Sequence, residues 1–189
     1  MASLFEMPWR RRFEALIRPH LRELHAYAYR LCGNRERAED IVQDLVTRLY
    51  QSRARLDEVE KLRPWLYKSL FRQYLNARRS ESRSPFGYLE GDEAVLDGIE
   101  DERSAPEALT ERHLQQARIN RALHTLSPEF REVLVMHDIE GFGVAEVAEI
   151  LDIPVGTVKS RIHRARNNLR SKLIHGTWAD GSVFDEVEG

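Results

Sequence analysis

Ser160, His163, Arg164 and Asn167 share one helical face, and their side chains carry the groups needed to read base-pair edges. Arg can fork onto guanine, Asn can pair with adenine, and Ser can donate or accept at either. Lys159, Arg161 and Arg166 flank that face and are suited to neutralising phosphates. At about 100° per residue, Val158, Ile162, Ala165, Leu169 and Leu173 fall within roughly an 80° arc on the other side, which predicts a buried seam. Between Val155 and Leu173 there are Arg and Lys residues but no Asp or Glu. A helix that merely faces solvent usually mixes signs to gain i,i+4 pairs. Just upstream, Val144, Val147, Ala148 and Leu151 recur at helical spacing, and Asp152-Ile153-Pro154 interrupts the pattern. Pro154, lacking an N–H and clashing in a helix interior, is expected to supply the break. The stretch 144–173 therefore reads as a DNA-reading helix-turn-helix.

Two other groups of side chains could do chemistry. Asp40, Gln43, Asp44 and Thr47 lie opposite an apolar stripe of Ala38, Ile41, Val42, Leu45, Val46 and Leu49. Such an acidic, amide-rich row is either a solvated face or a docking surface for a basic partner. Further on, Tyr67, Phe71 and Tyr74 recur at i, i+4 and i+7, interleaved with Lys68, Arg72, Arg78 and Arg79, while Leu62, Trp65, Leu66, Ser69 and Leu70 occupy another side. Aromatics among cations can stack unpaired bases while the charges follow the backbone. A second packing face in a three-helix unit explains the same spacing. Metal-assisted hydrolysis through Glu39, Asp40 and Asp44 is disfavoured, because Glu39 and Asp40 diverge on a helix and no His or carboxylate completes a set. No metal, cofactor or enzymatic activity is expected.

Charge is segregated along the 189 residues. Residues 1–89 carry a net +7, residues 90–111 a net −8, residues 112–175 a net +3 and residues 176–189 a net −4, against −2 for the whole chain. Two basic blocks around an acidic one suggest two nucleic-acid-facing modules joined by a segment that does not bind DNA. Cys32 is the only cysteine, which excludes an internal disulfide and a cysteine-based zinc site. The order of Phe5, Met7 and Trp9 ahead of Arg10-Arg11-Arg12 reverses that of a signal peptide, and no apolar run reaches spanning length. A cytoplasmic protein without stable membrane insertion is expected.

The elements that must position these groups are all helical. Phe13, Leu16, Ile17, Leu21, Leu24, Ala28 and Leu31 mark a first helix, in which Pro19 is expected to cause a bend or start a second segment. Gly33 suits a left-handed C-terminal cap and Asn34 the N-cap of the next helix. Gln51 to Glu60 reads as a polar loop and Lys61 to Ser80 as a third helix. Between Glu81 and Ala105, Pro and Gly stand among acids without periodicity. Such a linker of about 25 residues extends to roughly 80 Å. A helix from Pro106 to about Leu126 follows through Leu109, Leu114, Ile119, Ala122 and Leu123, then Ser127 as N-cap and Pro128 at the first position of a helix with Phe130, Val133, Leu134 and His137. The expectation is an all-α protein of two small helical domains, residues 1–82 and 107–175. A flexible acidic linker (83–106) joins them, and an acidic tail (176–189) follows.

Together the segments AEDIVQDLVTRLY (38–50), RPWLYKSLFRQYLNARR (63–79) and LSPEFREVLVMHDIEGFGVAEVAEILDIPVGTVKSRIHRARNNL (126–169) resemble the extracytoplasmic-function sigma factors, small bacterial promoter-recognition subunits. The resemblance implies that Asp40, Gln43, Asp44 and Thr47 bind the clamp helices of RNA polymerase core. It implies that the loop with Arg53 and Arg55, and the helix with Trp65, Tyr67, Lys68, Phe71, Arg72, Tyr74, Arg78 and Arg79, capture the melted minus-10 element. It places Lys159, Ser160, His163 and Arg164, with Asn167, toward the bases of the minus-35 element, and Thr157, Arg161 and Arg166 toward its backbone. An anti-sigma partner is implied as well. Arg72 and Asn76 depart from the Asn and Asp often found in the third helix, so the minus-10 preference does not transfer.

Magnitudes favour a partner-dependent factor. About four base-reading side chains at roughly 1–3 kcal/mol each, on a module of small net charge, give little unaided hold on DNA. Docking on polymerase would bring both modules to one promoter and raise the effective concentration of each at its element. A stand-alone helix-turn-helix regulator binding duplex operators is the other reading.

Overall fold

The computed structural model describes residues 6–52, 56, 58–81 and 117–175, all of them helix or short connection with no strand among them. The chain divides into two compact units, one built mainly from the N-terminal half and the other from most of the C-terminal half. The expected linker at 83–106, the start of the helix after Pro106 and the tail at 176–189 lie outside the described residues.

In the first unit, α1 spans Glu6–Cys32, α2 Arg35–Ser52 and α3 Leu62–Glu81, and each packs against the other two. The corner between α1 and α2 forms as anticipated. Gly33 has φ 73° and its N–H reaches the carbonyl of Tyr29 at 2.8 Å, the hydrogen bond of a left-handed C-terminal cap. Asn34 Oδ1 then accepts from the Arg37 N–H at 2.9 Å, capping α2. Pro19 neither ends α1 nor starts a new segment: the helix runs through it for 27 residues. Phe13, Ile17, Leu24, Ala28 and Leu31 of the expected stripe are buried.

Tyr27, missing from that stripe, is fully buried, and its ring meets that of Tyr67 at 4.7 Å between centroids. This decides the reading of α3. Tyr67, Phe71 and Tyr74 are 0%, 4% and 6% exposed, so they are core side chains and cannot stack on unpaired bases. The physical reason is that α3 packs against both α1 and α2 and must bury two adjacent faces, one carrying Leu66 and Leu70 and the other the three aromatics. Arg63 joins the packing from outside, lying 4.9 Å over the Tyr67 ring and pairing with Glu23 of α1 at 3.0 Å.

The second unit contains α4 (117–124), α5 (Pro128–Leu134), α6 (Val144–Leu151) and α7 (Val155–His175). Ser127 does precede α5 and Pro128 does open it, but the Ser127 side chain makes no capping bond. Its carbonyl instead accepts from Phe130 and Arg131, both at 3.0 Å. Arg131 closes the preceding helix in turn. Its guanidinium donates to the carbonyls of Leu123, His124 and Leu126 at 3.2, 3.4 and 3.2 Å, at the helix end where carbonyls lack their full set of helical partners; the Leu123 carbonyl also accepts from the Leu126 N–H at 3.1 Å. Ile119, placed by its spacing on the apolar stripe of α4, is 48% exposed, whereas Ala122, Leu123 and Leu126 are buried.

After α5 the chain continues into one π-helical turn, Val135–Ile139, and reverses through Gly141 at φ 75°. Gly143 starts α6: its carbonyl accepts from Val147 at 2.9 Å, and its N–H is covered by Glu146 Oε2 at 3.0 Å, half of a capping box. The break between α6 and α7 is made two residues earlier than Pro154. Asp152 adopts φ 56°, and the Ile153 N–H returns to the Ala148 carbonyl at 3.1 Å, as in a Schellman turn. Pro154 then serves as the N-cap of α7, its carbonyl accepting from Val158 at 3.1 Å.

Two stability measurements check these placements. Asp152 holds a left-handed conformation that costs a side-chain-bearing residue about 1–2 kcal/mol. Thermal or denaturant melts should therefore show Asp152→Gly at least as stable as the parent and Asp152→Val destabilised by about that amount. Tyr67→Ala should lose about 3–5 kcal/mol, as for other large core truncations, while Arg72→Ala on the exposed side of α3 should stay within about 0.5 kcal/mol. A mild Tyr67→Ala would return that ring to the candidate DNA contacts.

Candidate nucleic-acid and polymerase interfaces

The outward face of α7 is set by what the helix buries. Val158, Ile162 and Ala165 are packed at 0%, 6% and 0% exposure, and α7 lies against α5. The seam is shorter than its spacing suggests: Leu169 is half-buried and Leu173 is exposed, as the last turns run on past the packed part. With the seam inward, Lys159, Ser160, His163, Arg164 and Asn167 are all exposed, and Thr157 and Arg161 half-exposed on the flanks. The structure thus brings the predicted base-reading residues onto one accessible surface at the start and middle of the second helix, the part that enters a major groove in helix-turn-helix proteins.

Several of these groups are already engaged. Ser160 Oγ donates to the Thr157 carbonyl at 3.0 Å, so its remaining hydrogen-bonding capacity at a base is as an acceptor unless it rotates. Asn167 Nδ2 lies 3.2 Å from His163 Nε2, which couples the orientation of one side chain to the other across a helical turn. Arg166, expected at the DNA backbone, is held by Asp138: Nε to Oδ2 at 2.9 Å and a terminal nitrogen to Oδ1 at 2.6 Å. That bidentate hydrogen bond, followed by the charge of the same carboxylate, raises the guanidinium's pKa above its ordinary value. Asp138 was not among the residues that sequence reasoning selected, and no local pattern could have found it, since its partner is 28 positions away.

On α2, Asp40, Gln43, Asp44 and Thr47 form an exposed row opposite the buried Ala38, Ile41, Val42, Leu45 and Leu49. Glu39 beside them is paired with Arg35 at 3.0 Å, an i,i+4 contact along the same helix. Among the described residues no group of three His, Cys, Asp or Glu is arranged to hold a metal ion. None of the described helices is long and apolar enough to cross a membrane.

The cationic side of α3 is only partly available. Arg72, Asn76, Arg78 and Arg79 are exposed, and Trp65 and Lys68 are half-buried. With the three aromatics in the core, what α3 offers a nucleic acid is a line of cations with Trp65 at its edge. Arg53 and Arg55 lie outside the described residues; Leu56 is buried at 4% exposure.

Comparison with known proteins gives the same division. Residues 16–84 match the model for sigma-70 region 2, and residues 111–169 match the model for sigma-70 region 4. The ECF RNA polymerase sigma factor SigW of Bacillus subtilis is 32% identical over 158 residues, covering 80% of this chain and 83% of SigW. The ECF RNA polymerase sigma factor SigE of Mycolicibacterium smegmatis is 33% identical over 166 residues, covering 85% of this chain but 61% of SigE, so the chain spans under two thirds of that relative. Among solved structures, the sigma factor RpoE of Bartonella quintana, crystallised with the anti-sigma factor NepR, superposes with a TM-score of 0.66 at 25% identity, covering 85% of this chain and 96% of RpoE. CnrH, solved in complex with the cytosolic domain of CnrY, shares the fold at a TM-score of 0.59 and 24% identity over 87% of this chain and 88% of that one. With both sigma-70 regions in order on one chain and a relative matched over most of its length, the protein belongs to the extracytoplasmic-function sigma factors of the sigma-70 family.

Proposed function

We propose that this chain binds RNA polymerase core and directs it to promoters, with α2 docking on the enzyme, the first unit holding the melted minus-10 element and α7 reading the duplex minus-35 element. The observation that carries this reading is the exposed face of α7, where Lys159, Ser160, His163 and Arg164 project together from a helix whose opposite side is buried. The exposed row of Asp40, Gln43, Asp44 and Thr47 on α2 supports the docking half, because an acidic and amide surface opposite a packed stripe is complementary to a basic partner helix. No catalysis is assigned to the chain, and opening of the duplex results from capture of unpaired bases on a surface held in place by polymerase.

In the first unit the minus-10 contacts of this reading are reduced to Trp65, Lys68, Arg72, Arg78 and Arg79, with Arg53 and Arg55 in the loop before α3. The acidic segment at 83–106 is assigned the connection between the two modules. Control by an anti-sigma partner also belongs to this reading. It is supported by the related sigma factor RpoE, whose structure was solved in complex with the anti-sigma factor NepR.

Replacing Asp40, Gln43 and Asp44 together by Ala should abolish co-purification with core polymerase while leaving helical content, read by circular dichroism, unchanged. Retention of core binding by the triple variant would remove α2 as the docking surface. Arg164→Ala should alter which minus-35 sequences the holoenzyme prefers, at about 1–3 kcal/mol for the base pair it reads. A uniform loss across all minus-35 sequences would instead make Arg164 a phosphate contact.

A further inference from the structure

Arg166 occupies an unusual place on α7. At about 100° per residue it lies roughly 60° from the middle of the buried seam and about 110° from the middle of the base-reading face. It also lies about three turns and about 16 Å along the axis from Val155, past Lys159, Ser160, His163 and Arg164 and next to Asn167. Its guanidinium is turned toward the body of the unit, where Asp138 receives it through two parallel hydrogen bonds at 2.9 and 2.6 Å. The planar fork of Arg matching a carboxylate in this way fixes direction as well as distance.

Asp138 is itself held rigidly. It sits in the π-helical turn Val135–Ile139, whose first two residues, Val135 and Met136, are completely buried. The turn is closed by the Glu140 N–H on the Val135 carbonyl at 2.9 Å and the Phe142 N–H on the Met136 carbonyl at 3.0 Å, and His137 Nδ1 contacts the Phe142 carbonyl at 2.8 Å. An α-helical turn in place of the π turn would rotate residue 138 about the axis and aim its carboxylate elsewhere.

We propose that the Asp138–Arg166 pair is a latch that sets the angle of α7, making both side chains positioning residues for sequence reading and removing Arg166 from the phosphate contacts. The proposal rests on the minus-35 reading assigned to α7. Packing of Val158, Ile162 and Ala165 leaves the helix free to roll or tilt slightly about its seam, since hydrophobic contact is not directional. A bidentate pair within about two turns of Lys159, Ser160, His163 and Arg164 resists that motion and therefore acts on discrimination between sequences more than on general attraction to DNA.

The test uses the full chain assembled with core polymerase. Binding is measured on a promoter with its preferred minus-35 element and on the same promoter with that element scrambled, across a salt series. Arg166→Gln and Asp138→Asn should each lower the preference ratio by about threefold or more, as expected for a coupled pair. The slope of log affinity against log salt should stay the same for Arg166→Gln. The exchanged pair, Asp138→Arg with Arg166→Asp, should restore most of the ratio. A salt slope shallower by about 0.9 in Arg166→Gln, with Asp138→Asn leaving the ratio intact, would make Arg166 a phosphate contact and overturn the latch. Should the single variants unfold the unit, the exchanged pair decides alone: if it folds and does not discriminate, the latch is wrong. Replacing Lys159, Ser160, His163 and Arg164 together by Ala serves as the control, because an intact ratio in that variant would mean that α7 does not read the minus-35 element at all, and the latch would fall with that assignment.

Discussion

The burial of Val158, Ile162 and Ala165 is the constraint on which the second unit depends. These three side chains set which side of α7 turns inward, and so leave Lys159, Ser160, His163 and Arg164 facing outward. Everything around the seam serves to hold it. Arg131 closes α4, the π-helical turn carries the chain from α5 toward α6, and the left-handed Asp152 lets α7 start at an angle to α6. The Asp138–Arg166 pair adds a directional contact to packing that has none.

The first unit obeys a different logic, in which aromatic packing frees one helix for display. Tyr27 against Tyr67, and Phe13 against Tyr50 at 5.3 Å, tie α1 to α3 and to α2. Because α2 buries the stripe of Ala38, Ile41, Val42, Leu45 and Leu49, its opposite row of Asp40, Gln43, Asp44 and Thr47 is left exposed. The two units therefore present surfaces of opposite character, an acidic row on α2 and a cationic, amide-bearing face on α7. Under the proposed function, the acidic row meets a protein partner and the cationic face meets DNA.

Much of this is legible in the amino-acid sequence. Helical periodicity places the stripes of α2 and α7, and Gly33-Asn34 marks the corner because a left-handed residue followed by a side-chain cap turns a helix sharply. Where sequence reasoning goes astray, the competing effect is tertiary. Tyr67, Phe71 and Tyr74 have a spacing that suits either a base platform or a second packing face, and only the presence of α1 on that side distinguishes them. Pro154 draws attention as the helix breaker, whereas Asp152 does the turning by adopting a backbone conformation that composition does not announce. Arg166 presents a similar difficulty: a cation on a basic helix looks available until its partner from a distant turn is seen.

In the proposed function this chain selects promoters through polymerase and not by binding DNA alone. Transcription from a library of promoters with purified core polymerase, run with and without the chain and paired with duplex binding by the chain alone, tests that most directly. The expected result is initiation from a subset of promoters sharing both elements, only when chain and core are combined, and weak, unselective binding by the chain by itself. Tight, sequence-selective duplex binding without polymerase, and no promoter-dependent initiation with it, would make the chain a stand-alone regulator instead.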